Sequence, residues 1–138
     1  YKGVRYYNDS IASSPSRTIA GLRSFQEKVI LIAGGYDKHI PFDVLGPEVT
    51  AHVKLLVLCG ATAEKIRAAV EAAPDYRPGH PEILEVTPFR AAVEAARDRA
   101  VSGDVVTLSP ACAAFDQFKN FAERGKTFKE IVNGWPEE

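Results

Sequence analysis

Short runs of mostly apolar residues, each followed by an amphipathic stretch, constrain the fold of this chain more than any other feature. The runs cover residues 29–33, 55–59 and 104–108. A strand that is buried on both faces reads as such a continuous run. After the second run, Thr62 is predicted to cap a helix whose apolar residues, at helical spacing, form one buried face. The pattern therefore indicates strands that alternate with helices.

The rest of the sequence extends this alternation. Shorter strands are predicted at 4–7 and 83–86, and prolines that open helices follow Ser14 and Thr87. Further helices are predicted at 115–123 and 127–132. We therefore expect a single α/β domain over residues 1–138, with a doubly wound, mostly parallel open sheet and helices on both faces, in a Rossmann-like arrangement. Ligands of such folds lie beyond the carboxyl ends of the strands.

Composition excludes several classes of function. Seventeen basic residues against eighteen acidic ones give a net charge of −1, so a nucleic-acid-binding surface is not expected. No apolar run approaches the roughly 20 residues that a membrane helix needs. Cys59 and Cys112 form no metal-binding pattern, so we expect buried thiols, no metal site and a cytoplasmic location. The absence of Met, including at position 1, predicts a fragment of a longer protein.

The tract from 108 to 121 is the first candidate site. It turns at Ser109-Pro110 and continues with small residues at 111–114. Small residues after a strand let a ligand approach the backbone closely, and the N-terminus of the predicted helix that follows favours an anion. Ser109 is therefore a candidate anion contact.

Two other loops carry polar residues at strand ends. Asp9 could accept hydrogen bonds from sugar hydroxyls, and Ser10 and Ser13 could donate to an anion; alternatively, this segment only caps the helix at Pro15. Gly34 and Gly35 could let a ligand approach the backbone closely. Lys38, which follows them, could bind a carboxylate or phosphate, or could be a solvated surface residue.

These residues form neither a Walker A loop nor a dinucleotide-binding glycine pattern, and they contain no nucleophile–base pair. They indicate a cleft that holds an anionic substrate. The alternative is a non-catalytic small-molecule-binding or receiver-like module, for which only Asp9 and Asp37 stand near the required acidic positions.

Three motifs together resemble the C-terminal domain of the Mur ligases, and most of all the branch that adds glutamate. They are Asn8-Asp9-Ser10-Ile11-Ala12-Ser13, Gly34-Gly35-Tyr36-Asp37-Lys38, and the tract from 108 to 125. The resemblance implies an ATP-dependent ligase of peptidoglycan synthesis, in which the carboxylate of UDP-N-acetylmuramoyl-L-alanine becomes an acyl phosphate that the amine of D-glutamate attacks. It implies that the P-loop and the Mg²⁺ ligands lie in a central domain and the uridine site in an N-terminal domain. This domain alone is then inactive, and we expect a monomer.

The resemblance also implies individual roles. Lys38 would bind a carboxylate of D-glutamate, and the same pocket would be lined by four further residues: Ser13, Ala114, Phe115 and Phe121. Asp9 would contact the ribose of ATP. The chain departs from the family at position 11, where Ile stands in place of a common Lys and removes a phosphate contact, and at 13, 14 and 114, where it has Ser, Ser and Ala.

Overall fold

The computed structural model describes residues 2–36, 39, 41–114 and 118–135, which form strands and helices in strict alternation. The elements are β1 (Arg5–Asn8), α1 (Pro15–Leu22), β2 (Val29–Ala33), α2 (Leu45–His52), β3 (Val53–Leu58), α3 (Ala63–Glu71), β4 (Glu82–Glu85), α4 (Phe89–Arg99), β5 (Val105–Leu108) and α5 (Phe121–Asn133). Within this described part, no helix has both the length and the apolar character that are needed to cross a membrane.

The five strands form one parallel sheet in the order β1-β5-β2-β3-β4. The predicted α/β fold with a parallel sheet is confirmed. Because all strands point the same way, the loops that follow them share one edge. The last strand in sequence lies between the first two, so the loops after β1, β5 and β2 are neighbours at that edge.

The helices divide between the two faces of the sheet. Side chains of α1, α2 and α3 pack on one face, as Leu22, Val49 and Ile66 illustrate. Side chains of α4 and α5 pack on the other, with Phe89 and Phe128 among them. The chain crosses the sheet in one direction from β1 to β4 and returns to β5 in the other. Crossovers of a single hand place their helices on opposite faces when the direction reverses, and this is the arrangement observed.

Helix α2 was not predicted from the sequence. Its first turn contains Gly46 and Pro47, both poor helix formers, and its N-cap residue Val44 offers no capping side chain. Proline is tolerated there because the first turn leaves its N–H groups without helical partners. Burial of Leu45 and Val49 stabilises this helix in place of local propensity.

The predicted helix at 127–132 is confirmed as part of a longer helix, α5, which runs from Phe121 to Asn133. The predicted helix at 115–123 was wrong, because residues 118–120 are not helical, while 115–117 lie outside the described residues. Asn120 is extended at its N-terminus, with φ −162°, and its side chain accepts a hydrogen bond from the amide of Glu123. Phe118 precedes the helix and packs edge-on against Phe89 at 5.0 Å. The cap therefore sets the helix start six residues later than predicted from the aromatic spacing.

We predict that Gly46→Ala destabilises the chain by about 1–3 kcal/mol, because the new methyl would overpack the α2–α3 contact. Its Cβ would lie 2.4 Å from the backbone oxygen of Ala69. Urea denaturation of both proteins measures the change. Ala51→Ser, at an exposed position of the same helix, should stay within about 0.5 kcal/mol of the parent. Equal midpoints for Gly46→Ala and the parent would show that the two helices separate freely.

Candidate functional site

Main-chain hydrogen bonds join the three predicted site loops at the carboxyl edge of the sheet. Gly34 N donates to Pro110 O at 2.9 Å, and Ala111 N donates to Ala12 O at 3.0 Å. Tyr36 and Ala113 pair as an isolated antiparallel bridge, with Tyr36 N donating to Ala113 O at 2.8 Å. The tract after β5 is thus bonded on one side to the loop after β1 and on the other to the loop after β2.

The paired glycines allow this close approach. Gly34 has φ +110°, and a Cβ there would lie 2.0 Å from the backbone oxygen of Cys59. A Cβ at Gly35 would lie 2.5 Å from Ala113 O. No other residue fits at these two positions without displacing the backbone of a neighbouring loop. Gly34 and Gly35 therefore allow neighbouring loops to pack closely against each other. The close approach of a ligand to these glycines stays a prediction.

Thr62 precedes α3, but its side chain does not cap that helix. Its hydroxyl instead accepts a hydrogen bond from Gly35 N at 3.0 Å and lies 3.2 Å from the sulfur of Cys112. The predicted capping role is wrong, because the buried amide of Gly35 and the thiol of Cys112 hold the hydroxyl instead. Thr62 thus links the loop after β3 to the loop after β2 and to the small-residue tract.

The buried guanidinium of Arg124 is hydrogen-bonded to two loops of the site, the one after β1 and the one after β5. Arg124 is only 2 % exposed. Its Nη2 donates to Ser10 O at 2.7 Å, its Nε to Ser10 Oγ at 2.9 Å, and its Nη1 to Cys112 O at 2.9 Å. Ser10 Oγ in turn donates to Phe121 O at 2.6 Å. Helix α5 is therefore connected through one side chain to the loops after β1 and β5.

Sequence reasoning missed Arg124, although a signal was present. Arg124, Phe128 and Ile131 are all buried and follow the i, i+4, i+7 spacing of one helix face. An arginine in line with core residues is unusual, because burying a charge requires several hydrogen-bond partners. Such a residue marks a point where backbone oxygens of other segments converge.

Asp9 is held by Ser109, which follows β5 and is itself bonded to Thr18 of α1. Ser109 Oγ donates to Asp9 Oδ2 at 2.8 Å, and the hydroxyl of Thr18 donates to Ser109 O at 3.1 Å. Asp9 itself is half-buried, whereas Ser109 and Thr18 are fully buried. Ser14 is the N-cap residue of α1, and no side chain makes a capping hydrogen bond there. Asp9 is thus oriented by Ser109 and does not cap the helix.

The remaining site residues differ in accessibility. Ser13 is half-buried, Ala114 is buried, and Phe121 is 44 % exposed at the start of α5. Ser10 and Ser109 are buried, and their hydroxyls bond to protein partners, so their contact with an anion stays a prediction. Lys38 and Phe115 lie outside the described residues, and their roles stay predictions as well.

Among the described residues, no cluster of three His, Cys, Asp or Glu side chains could hold a metal ion. At the end of β4, Glu85 accepts a hydrogen bond from Arg67 at 2.8 Å, which raises the pKa of Arg67.

Comparison with known proteins identifies the family. The model of the family described as "Mur ligase, glutamate ligase domain" matches residues 1–112. The chain belongs to this family. The resemblance to the Mur ligases is therefore confirmed, and the receiver-like alternative is set aside.

The chain is also similar to one part of several longer curated proteins. It is similar to the UDP-N-acetylmuramoylalanine–D-glutamate ligases of Clostridium kluyveri (strain NBRC 12016), Clostridium botulinum (strain Okra / Type B1) and Clostridium perfringens (strain 13 / Type A), with 57%, 56% and 53% identity over 131 residues. Each alignment covers 95% of this chain but 29% of the relative. The chain thus spans less than a third of the length of these relatives.

Solved structures support the same fold. A UDP-N-acetylmuramoyl-L-alanyl-D-glutamate–2,6-diaminopimelate ligase matches with a TM-score of 0.61 and 12% identity, covering 98% of this chain and 31% of that one. A domain from Haemophilus ducreyi 35000HP, described as part of a UDP-N-acetylmuramate:L-alanyl-gamma-D-glutamyl-meso-diaminopimelate ligase, matches with a TM-score of 0.58 and 10% identity. It covers 94% of this chain and 93% of that domain. At such identities the likeness establishes the fold alone.

We predict that Arg124→Met destabilises the chain by about 2–4 kcal/mol, because it leaves the oxygens of Ser10 and Cys112 buried without their donor. Amide exchange at Ala111 should accelerate too, since the loop that carries it loses its anchor. Urea denaturation and hydrogen exchange measure the two effects. Lys126→Met, exposed on the same helix, is the matched control. A loss as small as that of the control would mean that the guanidinium is not needed to hold the loops.

Proposed function

We propose that this chain is the D-glutamate-binding domain of an ATP-dependent ligase that joins D-glutamate to UDP-N-acetylmuramoyl-L-alanine. The observation that carries the proposal is the identity of 53–57% to ligases named for this reaction, over 95% of the chain. The convergence of the three predicted site loops at one edge of the sheet supports it further.

The acceptor site in this proposal is built for a doubly charged amino acid. D-glutamate carries two carboxylates, which Lys38 and the backbone N–H groups of residues 114 and 115 neutralise. Charge-assisted hydrogen bonds of this kind are stronger than neutral ones, and they gain strength where water is excluded. The Ser13 hydroxyl and the exposed ring of Phe121 complete the wall. Lys38 follows Tyr36 by two positions, and Tyr36 is bonded to the tract that leads to Ala114.

The nucleotide contact in this proposal is Asp9. A carboxylate only accepts hydrogen bonds, so it suits the hydroxyls of a ribose. Asp9 lies in the loop after β1, which the backbone bond between Ala12 and Ala111 joins to the acceptor tract. The ribose of ATP and the D-glutamate therefore occupy neighbouring parts of one edge.

The contribution to rate in this proposal is positioning. The described residues supply no acid–base pair for the chemistry, but they can hold the amine of D-glutamate against the acyl phosphate. Fixing two reactants in a reactive geometry can contribute about 7–11 kcal/mol. Such a gain requires this domain to close onto the part that makes the acyl phosphate, so a hinge motion accompanies turnover. In this proposal that part also holds the P-loop and the Mg²⁺, and the ligase acts as a cytoplasmic monomer.

We predict that the isolated chain does not hydrolyse ATP in the presence of D-glutamate and UDP-N-acetylmuramoyl-L-alanine, because it lacks the part that activates the carboxylate. Joining the chain to the remaining part of the Clostridium kluyveri relative, in place of the matching segment, should restore ligase activity. Phosphate release and formation of the D-glutamyl product are the measurements. ATP turnover by the chain alone, or a folded fusion with no activity, would refute the proposal.

We predict that Lys38→Ala in this fusion raises the KM for D-glutamate at least tenfold, because an ion pair with a carboxylate is lost. The KM for ATP should change less than twofold. Initial rates with each substrate varied in turn give both values. Lys129→Ala, an exposed lysine of α5, is the matched control and should leave both constants unchanged. An unaltered KM for D-glutamate would remove Lys38 from the acceptor site.

A further inference from the structure

We infer that Ser109, Thr18 and Gly21 form a positioning device that holds the carboxylate of Asp9 in one orientation toward the ribose hydroxyls of ATP. This inference rests on the proposed function, and it assigns roles to residues that do not themselves touch the nucleotide. Ser109 follows β5, whereas Thr18 and Gly21 lie on α1. Asp9 follows β1, so the device spans three elements.

The direction of the hydrogen bonds follows from the groups involved. The ionised carboxylate of Asp9 has no proton to give, so the single hydroxyl proton of Ser109 goes to Asp9 Oδ2 over 2.8 Å. Ser109 Oγ also lies 3.1 Å from the hydroxyl oxygen of Thr18, which donates to Ser109 O at 3.1 Å. Ser109 and Thr18 are no more than 1 % exposed, so water does not reach the Ser109–Thr18 side of this network. The bonds to Thr18 and Asp9 therefore fix the side-chain rotamer of Ser109.

Gly21 of α1 leaves the space that the Asp9 carboxylate occupies. A methyl group at position 21 would lie 2.9 Å from Asp9 Oδ2 and 3.8 Å from Ser109 Oγ. The absence of a side chain on this helix face leaves room for the carboxylate. Gly21 lies within α1, and no left-handed backbone conformation requires glycine there. Space for Asp9 is therefore the reason that the structure offers for this glycine.

The two carboxylate oxygens then have different roles. Oδ2 is held by Ser109, and no bond to Oδ1 is found among the residues that the structure describes. Oδ1 is thus the acceptor that Asp9 offers to a ligand. A short side chain held at one oxygen loses little conformational freedom on binding, and this preorganisation increases affinity.

The test uses the fusion of this chain with the remaining part of the Clostridium kluyveri relative. Ser109→Ala removes the bond to Asp9, and Gly21→Ala displaces the carboxylate without removing any polar group. Each should raise the KM for ATP about fivefold to twentyfold, with kcat and the KM for D-glutamate within twofold. Each should also weaken the preference for ATP over 2′-deoxy-ATP and 3′-deoxy-ATP, because that preference depends on a correctly placed acceptor.

Two further readouts separate positioning from a structural defect. Gly21→Ala should leave the fusion about as stable as the parent, because the better helix propensity of alanine offsets the lost bond between Ser109 and Asp9. In an Asp9→Ala background, Ser109→Ala should add almost nothing to the KM for ATP, since its effect passes through Asp9. Ala20→Ser, exposed on the same helix, is the matched control.

The outcomes distinguish this inference from the proposed function. An active fusion in which Gly21→Ala folds stably and keeps the parental KM for ATP overturns the inference alone. A parallel rise in the KM for both substrates does the same, because it indicates general disturbance of the loops. A folded but inactive parent fusion refutes the proposed function, and the inference falls with it.

Discussion

Arg124 donates hydrogen bonds to oxygens of Ser10 and Cys112, and these bonds hold the loops after β1 and β5 together beside the carboxyl edge of the sheet. A buried guanidinium is costly unless its donors are used, so the two loops must present their oxygens at fixed places. The planar fork of arginine meets this geometry, whereas a lysine could not reach all three oxygens. The same oxygens would be equally costly to bury without it. Loops and arginine therefore stabilise one another.

The order of the strands explains why residues so distant in sequence meet. Because β5 lies between β1 and β2, the tract after it touches the loops of both neighbours. Asp9 and Ser109 are 100 positions apart and share a hydrogen bond. The loops after β1 and β2 lead to helices on one face of the sheet, whereas the tract after β5 leads to α5 on the other, and open α/β sheets bind ligands in the crevice between such loops. The order of the strands thus determines which loops meet at the site, and the side chains then determine its chemistry.

The sheet and the loops that matter could be predicted because their signals are local. Continuous apolar runs identified β2, β3 and β5, and small or polar residues after strands identified the three loops. Helix α2 depends on burial and not on helix propensity, and the start of α5 depends on a cap at Asn120. Neither feature was therefore predicted from the sequence. Sequence patterns also did not identify three residues of the site, Thr62, Thr18 and Arg124. Their hydrogen-bond partners lie in other elements, and spacing along the chain does not reveal such contacts.

The loops are bonded to each other largely through their main chains, as the pairs Gly34–Pro110, Tyr36–Ala113 and Ala111–Ala12 demonstrate. Bonds of this kind do not depend on which side chain a residue carries. The frame can therefore persist while outward-facing side chains are exchanged. Such a separation between scaffold and contact surface lets ligand preference diverge in evolution, or be redesigned, without rebuilding the edge that presents it.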